Sequence, residues 1–418
     1  MRPTTSYATF AALSAALLLS PLLLSAAQNG KKSSPVVPGQ YIVLTKGDNV
    51  DQVTRRHNVT KKTKHYGTLK GFAARLSDQQ AEALRNDPDV AVIQPDYVVE
   101  ALKRPPRSSS SSAPSVQTLP TGVDRIDADL SSTAQIDGVS QTVDSDIAVI
   151  DTGVQKSHPD LTVVQQVNFT RERSADDQNG HGTHVAGTAA AKDNTAGVVG
   201  VAPGARIWSV KVLNRKGSGY LSDVIEGIDY VTANASQIEV ANMSLGCTGC
   251  QTAAMDLAID QSVAAGVVYV VSAGNDGIDA ANDSPANHSD VITVSAIADF
   301  NGQPGGGAAA TCRADQDDTF ADFSNYGSVV DIAAPGVCIL STYKGSKYAV
   351  MSGTSMASPH VTGAAALYIL THGKPTNAAG VAAVRAALIA GGTAQADPEG
   401  FSGDPDAFAE PLVNAEPL

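Results

Sequence analysis

From residue 121 onward the chain repeats one alternation that leaves little freedom in its choice of fold. Five short apolar runs, at 147–150, 207–213, 239–244, 267–272 and 291–296, are separated by long Ala-rich stretches. Strands that are short and almost uniformly apolar must be buried on both faces, which a parallel sheet between layers of helices provides. The spacing predicts βαβ units and hence an α/β fold with a doubly wound, mostly parallel sheet. In such sheets ligands and chemistry gather at the carboxyl ends of the strands. With 418 residues, the chain is long enough for about two or three domains. Its 43% hydrophobic and 17% charged residues can build a sizeable core.

Three stretches put reactive side chains at such ends. Residues 145–154 read Ser-Asp-Ile-Ala-Val-Ile-Asp-Thr-Gly-Val, a buried strand delivering Asp151 at its carboxyl end. Residues 179–188 read Asn-Gly-His-Gly-Thr-His-Val-Ala-Gly-Thr, with glycines on both sides of His181 at the start of a small-residue helix. Residues 353–363 read Gly-Thr-Ser-Met-Ala-Ser-Pro-His-Val-Thr-Gly, with Ser355 ahead of an apolar helix at 358–370. A serine hydroxyl is a poor nucleophile unless it has an accessible turn, a neighbouring base and donors aimed at the oxyanion it creates. Alone, Ser355 reads equally well as a helix cap. With Asp151 and His181 it reads as a nucleophile. His184 follows His181 by three residues without the Glu of a zinc helix, so it is assigned to packing. Asn275 ends the run Ser272-Ala273-Gly274-Asn275 with an amide that can donate to an oxyanion without titrating.

Asp151, His181 and Ser355, in that order and in these motifs, resemble the subtilisin-like serine peptidases. The stretch 323–328, Phe-Ser-Asn-Tyr-Gly-Ser, is similar to their proteinase K branch. The resemblance covers nearly the whole chain after about residue 119. It implies that His181 takes the proton of Ser355 and returns it to the leaving amine, while Asp151 orients the imidazole and Asn275 donates to the oxyanion. It further implies that Gly217, Ser218 and Gly219 on one side, and Ser244, Leu245 and Gly246 on the other, pair with substrate backbone by strand addition. Residues 244–246, with Ser272, Ala273 and Gly274, would line the primary pocket. Asp283, before Ser284-Pro285-Ala286, would lie at its bottom and favour Lys or Arg before the scissile bond. Asp160 and Asn194 match the side chains of a family calcium site, with loop carbonyls as further ligands. The chemistry itself needs no cofactor.

The leading part has a different character. Residues 1–27 hold a short basic start, an apolar run and a small-residue end, which reads as a secretory signal peptide. Between 28 and 103 the pattern is strand at 40–44, helix at 50–57, two strands or one bent strand within 63–76, broken at Gly67 and Gly71, helix at 78–86, then strands at 90–93 and 97–102. Ser77 and Gln80 form a capping box for the second helix. This order is a ferredoxin-like unit, and it resembles the inhibitory prosegment of the same family. Residues 104–120, with Arg-Pro-Pro-Arg and five serines, read as a linker before a catalytic domain at 121–418. The processing point is expected near Lys103, in the dibasic Lys103-Arg104 with Arg107 close behind; Pro105 disfavours a cut after Arg104. Residues 1–107 carry 15 Lys+Arg against 8 Asp+Glu, whereas the rest carries 14 against 34. The two parts should attract each other. The net charge of −13, with no basic stripe in the catalytic half, argues against a nucleic-acid partner.

The four cysteines leave three pairings open, of which Cys247-Cys250 with Cys312-Cys338 is preferred for an oxidising compartment. The expectation is therefore a secreted, self-processing serine endopeptidase, monomeric and free of the membrane once mature, acting on proteins and peptides through an acyl-enzyme. A catalytically silent subtilase-fold binding module is the competing reading. It is disfavoured because Asp151, His181, Asn275 and Ser355 are all present.

Overall fold

The computed structural model describes residues 33–102 and 111–418. The expected signal peptide and the basic and serine-rich stretch at 103–110 lie outside them. The central sheet has eight strands. Asp146–Asp151 lies in its middle, flanked in parallel by Arg206–Lys211 on one side and Val240–Met243 on the other. Thr162–Asn168 extends the first side; Val268–Ser272, Ile292–Ala298 and Ile332–Pro335 extend the second, all in parallel. Thr319–Phe320 closes that edge antiparallel. The chain order thus reverses at Asp146–Asp151, a topological switch point that opens a crevice at the strand ends. All five expected strands form, with bounds moved by one to two residues.

Helices His181–Ala190 and Thr354–His372 pack on this sheet and on each other. Their small residues permit the approach: a Cβ on Gly363 would sit 3.1 Å from the backbone oxygen of Ala189 on the other helix. An antiparallel hairpin, Ile339–Tyr343 with Lys347–Met351, covers the first helix and was not expected from the sequence. His184, fully buried, places Nε2 at 3.0 Å from the carbonyls of Ile339 and Ala349. Burial drives its pKa down to about 3, so it holds hairpin to helix as a neutral ring.

Residues 36–101 form strand, helix, strand, strand, helix and strand, with the Ser77–Gln80 capping box in place. Their antiparallel sheet runs Lys62–Tyr66, Gly71–Arg75, Val36–Thr45, Val90–Ala101. The two strands expected at 90–93 and 97–102 are one strand. Its first half pairs with Val36–Thr45. Its second half is held between Ser218–Tyr220 and Leu245–Thr248 of the following part, so the partners change near Pro95, which has no N–H to donate. Buried Asp96 steadies that point by accepting from Ser222 Oγ at 2.6 Å, Ser222 N at 3.0 Å and Gln40 Nε2 at 2.6 Å.

The expected charge attraction is concentrated on the helix Leu221–Ala233. Lys64 Nζ lies 2.7 Å from both Asp223 and Glu226. The Asp229 carboxylate accepts from the backbone N–H groups of Gly67, Thr68 and Leu69 at 2.7, 2.9 and 2.8 Å. Bonds to a charged acceptor are each worth about 1.5–3 kcal/mol.

Candidate active site

Strand ends and a helix start converge on one peptide carbonyl. Asp151 is the last residue of its strand and His181 the first of its helix, and both are fully buried. His181 Nδ1 lies 2.8 and 2.9 Å from the two Asp151 carboxylate oxygens. Its Nε2 has no hydrogen-bond partner among the described residues. Ser355 is the second residue of the helix Thr354–His372. Its Oγ donates to the carbonyl oxygen of Leu102 and lies 3.3 Å from Ser244 O, so in this state the hydroxyl faces the bound carbonyl rather than the imidazole.

The same Leu102 oxygen receives Asn275 Nδ2 at 2.6 Å. The other end of that amide is fixed, because Asn275 Oδ1 accepts from Thr354 N at 2.8 Å and Thr354 Oγ1 at 2.9 Å. Sequence reasoning missed Thr354, although it directly precedes Ser355. Gly353 is required by close approach: a Cβ there would sit 3.0 Å from Leu102 O and 3.2 Å from Asn275 Nδ2. Buried Asn242 anchors the helix from below, accepting from Ser358 and Thr362 hydroxyls at 2.8 and 2.9 Å.

The two expected edges hold the tail of the leading segment as a strand. Glu100 pairs with Ser218, Val99 with Gly219, Ala101 with Leu245 and Glu100 with Gly246. Ala101 N donates to Gly217 O at 2.8 Å, and Leu102 N to Ser244 O at 3.3 Å. This backbone register puts the Leu102 carbonyl at the nucleophile, one residue before the expected Lys103. The basic pair therefore falls on the departing side of the bond, and the support it lent to a basic pocket is withdrawn.

The residues expected to line the primary pocket also lie together. A Cβ on Gly246 would touch Leu102 Cδ1 at 3.0 Å, and one on Gly274 would come within 2.9 Å of Asp283 Oδ2. Ser272 and Ala273 are buried beside them. Asp283 is 2% exposed; it accepts from Asn325 Nδ2 at 2.8 Å and from the Thr248 hydroxyl. The disulfide Cys247–Cys250 closes the loop that carries Thr248, and Cys312–Cys338 is the second bond.

Asp160 and Asn194 are brought together, with Asn194 Nδ2 donating to Asp160 Oδ1 at 2.7 Å. Asp160 Oδ2 accepts from Val198 N and Tyr348 OH, each at 3.0 Å. No cluster of three or more His, Cys, Asp or Glu that could hold a metal exists among the described residues. The two side chains offer a carboxylate and an amide oxygen, hard ligand types, and each of these oxygens accepts a protein N–H or O–H here, with Ala196 N on Asn194 Oδ1 at 2.9 Å.

A serine hydroxyl and an amide donor on one carbonyl, together with a buried imidazole–carboxylate pair, are the parts of acyl transfer. They define a serine hydrolase whose own leading segment lies in the cleft as a substrate would. Residues 144–401 match the model of the Subtilase family, Peptidase S8, and residues 40–102 match that of Peptidase inhibitor I9. The thermostable alkaline protease of Halalkalibacterium halodurans is 40% identical over 295 residues, 70% of this chain and 71% of that one. Subtilisin DY of Bacillus licheniformis is 41% identical over 257 residues, 60% of this chain and 85% of its own. The crystal structure of a cold adapted subtilisin-like serine proteinase superposes with a TM-score of 0.54 at 33% identity, covering 71% of this chain and 97% of that one. The chain belongs to the subtilase family and is a serine endopeptidase preceded by its own inhibitor segment. The relatives named here are alkaline proteases and subtilisins, so the family is established and the proteinase K branch is not.

Proposed function

We propose that Ser355 is the nucleophile of a self-processing endopeptidase and that its first substrate is the bond after Leu102. The carrying observation is that Ser355 Oγ and Asn275 Nδ2 share the Leu102 carbonyl oxygen. Ser355 Oγ bonds to the carbonyl carbon as its proton passes to His181 Nε2. Asn275 holds the oxyanion, and Asp151 steadies the imidazolium through Nδ1. The C–N bond then breaks, His181 returns the proton to the leaving amine, and water releases the acyl group by the same steps in reverse. On this reading the inhibitory segment ends at Leu102, within the proposed 28–103, and the catalytic domain follows the linker. A serine-directed fluorophosphonate tests it: labelling of Ser355 in the mature enzyme is expected, and folded mature protein without label would favour a silent binding module.

Asp283 supports a free-enzyme preference for Lys or Arg before the cut, since a buried carboxylate under the pocket can receive a cation once Thr248 and Asn325 yield. The Leu102 side chain against Gly246 supports the rival preference for an aliphatic residue. Tethering lets a poor residue be cut within the chain, because intramolecular attack gains a large effective concentration. Peptides differing only in Lys versus Leu before the bond, assayed on native enzyme and on Asp283→Gly, separate the two readings. Faster Lys cleavage that is lost in the variant supports the basic pocket; faster Leu cleavage in both removes it.

Asp160 and Asn194 would hold a structural calcium through side-chain oxygens, and the ion would stiffen that loop. The apolar start at 1–27 supports export through a cleaved signal peptide. No helix among the described residues is long and apolar enough to cross a membrane. The mature enzyme is proposed to be a secreted monomer acting on proteins and peptides, without a nucleic-acid partner.

A further inference from the structure

Two fully enclosed charges that the reaction does not touch meet at Thr152, the residue after Asp151. Asp177 is 5% exposed. Its Oδ1 accepts from Thr152 Oγ1 at 3.0 Å and from Asn179 N and Gly180 N at 2.8 Å; its Oδ2 accepts from Thr183 N at 3.0 Å and Thr183 Oγ1 at 2.6 Å. One carboxylate thus clasps the turn beside Asp151 and the residues on both sides of His181. Lys211 is 0% exposed. Its ammonium donates to Thr152 O at 2.7 Å and Leu213 O at 2.8 Å, and its third partner is Glu172 at 3.3 Å. Thr152 completes the junction, donating its N–H to Asp151 Oδ1 at 2.6 Å and accepting Gly182 N on its hydroxyl at 3.0 Å.

Burying a full charge is costly, and removing this lysine alone would leave Thr152 O, Leu213 O and Glu172 without their donor, so the junction holds only while its members are in place. We infer that Asp177 and Lys211 are positioning residues of the peptidase reaction. Through Thr152 they fix the Asp151–His181 pair from opposite sides. Asp177→Asn and Lys211→Met each remove a charge, of opposite sign, beside that pair, so they should move the activity profile in opposite directions. Lys211 has a second reach, because Leu213 leads into Asn214, which accepts Gly217 N at 2.8 Å and donates to Ser218 O at 2.9 Å. It therefore ties the substrate-binding edge to the Asp151 turn.

This inference rests on the proposed roles of Asp151, His181 and Ser355, and the test keeps the two apart. Asp177→Asn, Lys211→Met and Lys211→Arg are prepared as full-length precursors and matured, and active sites are counted by fluorophosphonate labelling so that unfolded protein drops out. The profile of kcat/KM against pH is then measured per labelled site. In Asp177→Asn the acid-side midpoint is expected to fall by about half a unit to one unit, with kcat reduced about tenfold or more and KM little changed. In Lys211→Met the midpoint is expected to rise by a similar amount, with KM raised as well, and Lys211→Arg should restore the wild-type midpoint. Unchanged midpoints, or shifts of one sign in both variants, would overturn the inference. A variant that cuts itself but does not release the inhibitor segment is read by the pH dependence of the cutting rate on the precursor, and one that is folded but uncut at every pH, with Lys211→Arg uncut as well, would overturn the inference. Failure of the wild-type enzyme to label would instead sink the proposed catalytic roles.

Discussion

The side-chain amide of Asn275 donates at 2.6 Å to the carbonyl oxygen of Leu102, the last described residue of the inhibitor segment. If the bond after Leu102 is the first one cut, as proposed, inhibition and processing share one geometry, since the segment that fills the cleft is then the substrate of the first turnover and already engages the proposed oxyanion donor.

The orientation of that amide depends on Thr354, which gives Asn275 Oδ1 two donors. Thr354→Ala removes the hydroxyl and keeps the backbone bond. Loss of about 1.4 kcal/mol of orientation corresponds to a tenfold fall in kcat. KM should change little, because the oxyanion exists only past the ground state. Steady-state kinetics on one peptide check this; an unchanged kcat would mean that the backbone bond suffices.

Release of the cleaved segment should depend on pH with a definite sign. Burial pushes Asp223 from its ordinary 3.8 up to about 6, outweighing Lys64 beside it. Burial also raises Asp96 and Glu226. Separation returns water to these carboxyls, so the complex binds protons more readily than its parts. Its stability is full below about pH 4 and is lost as pH rises through about 6. Cleaved complex held at pH 4 or 7 and then assayed at one common pH should become active between tenfold and a hundredfold faster from the higher pH. Asp223→Asn should flatten the difference. Equal rates at both pH values would refute it.

If Asp160 and Asn194 hold calcium, chelation should lower the melting temperature of the mature enzyme. Calcium at a hundredfold excess over its Kd adds about 2.7 kcal/mol, which for a domain of this size is several degrees. Scanning calorimetry with calcium and with chelator measures it on wild type and on Asp160→Ala. A melting point indifferent to calcium in the wild type would place no ion there.

The parts of the site legible in the sequence were those carried by contiguous stretches. Asp151 ends a strand and His181 begins a helix, while Ser355 is the second residue of its helix and Asn275 follows Val268–Ser272 by three, so all four lie beside elements whose apolar pattern is local. The edges at Gly217–Gly219 and Ser244–Gly246 were also visible, through family resemblance. Asp177 and Lys211 were not, because what marks them is contact between segments far apart: Lys211 meets Thr152 across 59 positions. Lys103 stands out in the sequence as half of a basic pair, yet the carbonyl that meets Ser355 is placed by backbone register at Glu100 and Ala101, which no side-chain pattern records. The strand through Pro95 looked broken because its second half finds its partners in the catalytic part.

The account stands most directly on the mass of the first products from the full-length precursor and from Ser355→Ala. The wild type should yield a leading fragment ending at Leu102 and a partner beginning at Lys103. Ser355→Ala, expressed in a protease-free host, should remain one uncut chain, because the hydroxyl that meets the Leu102 carbonyl is gone. A cut at another bond in the wild type, or the same two fragments from Ser355→Ala, would contradict it.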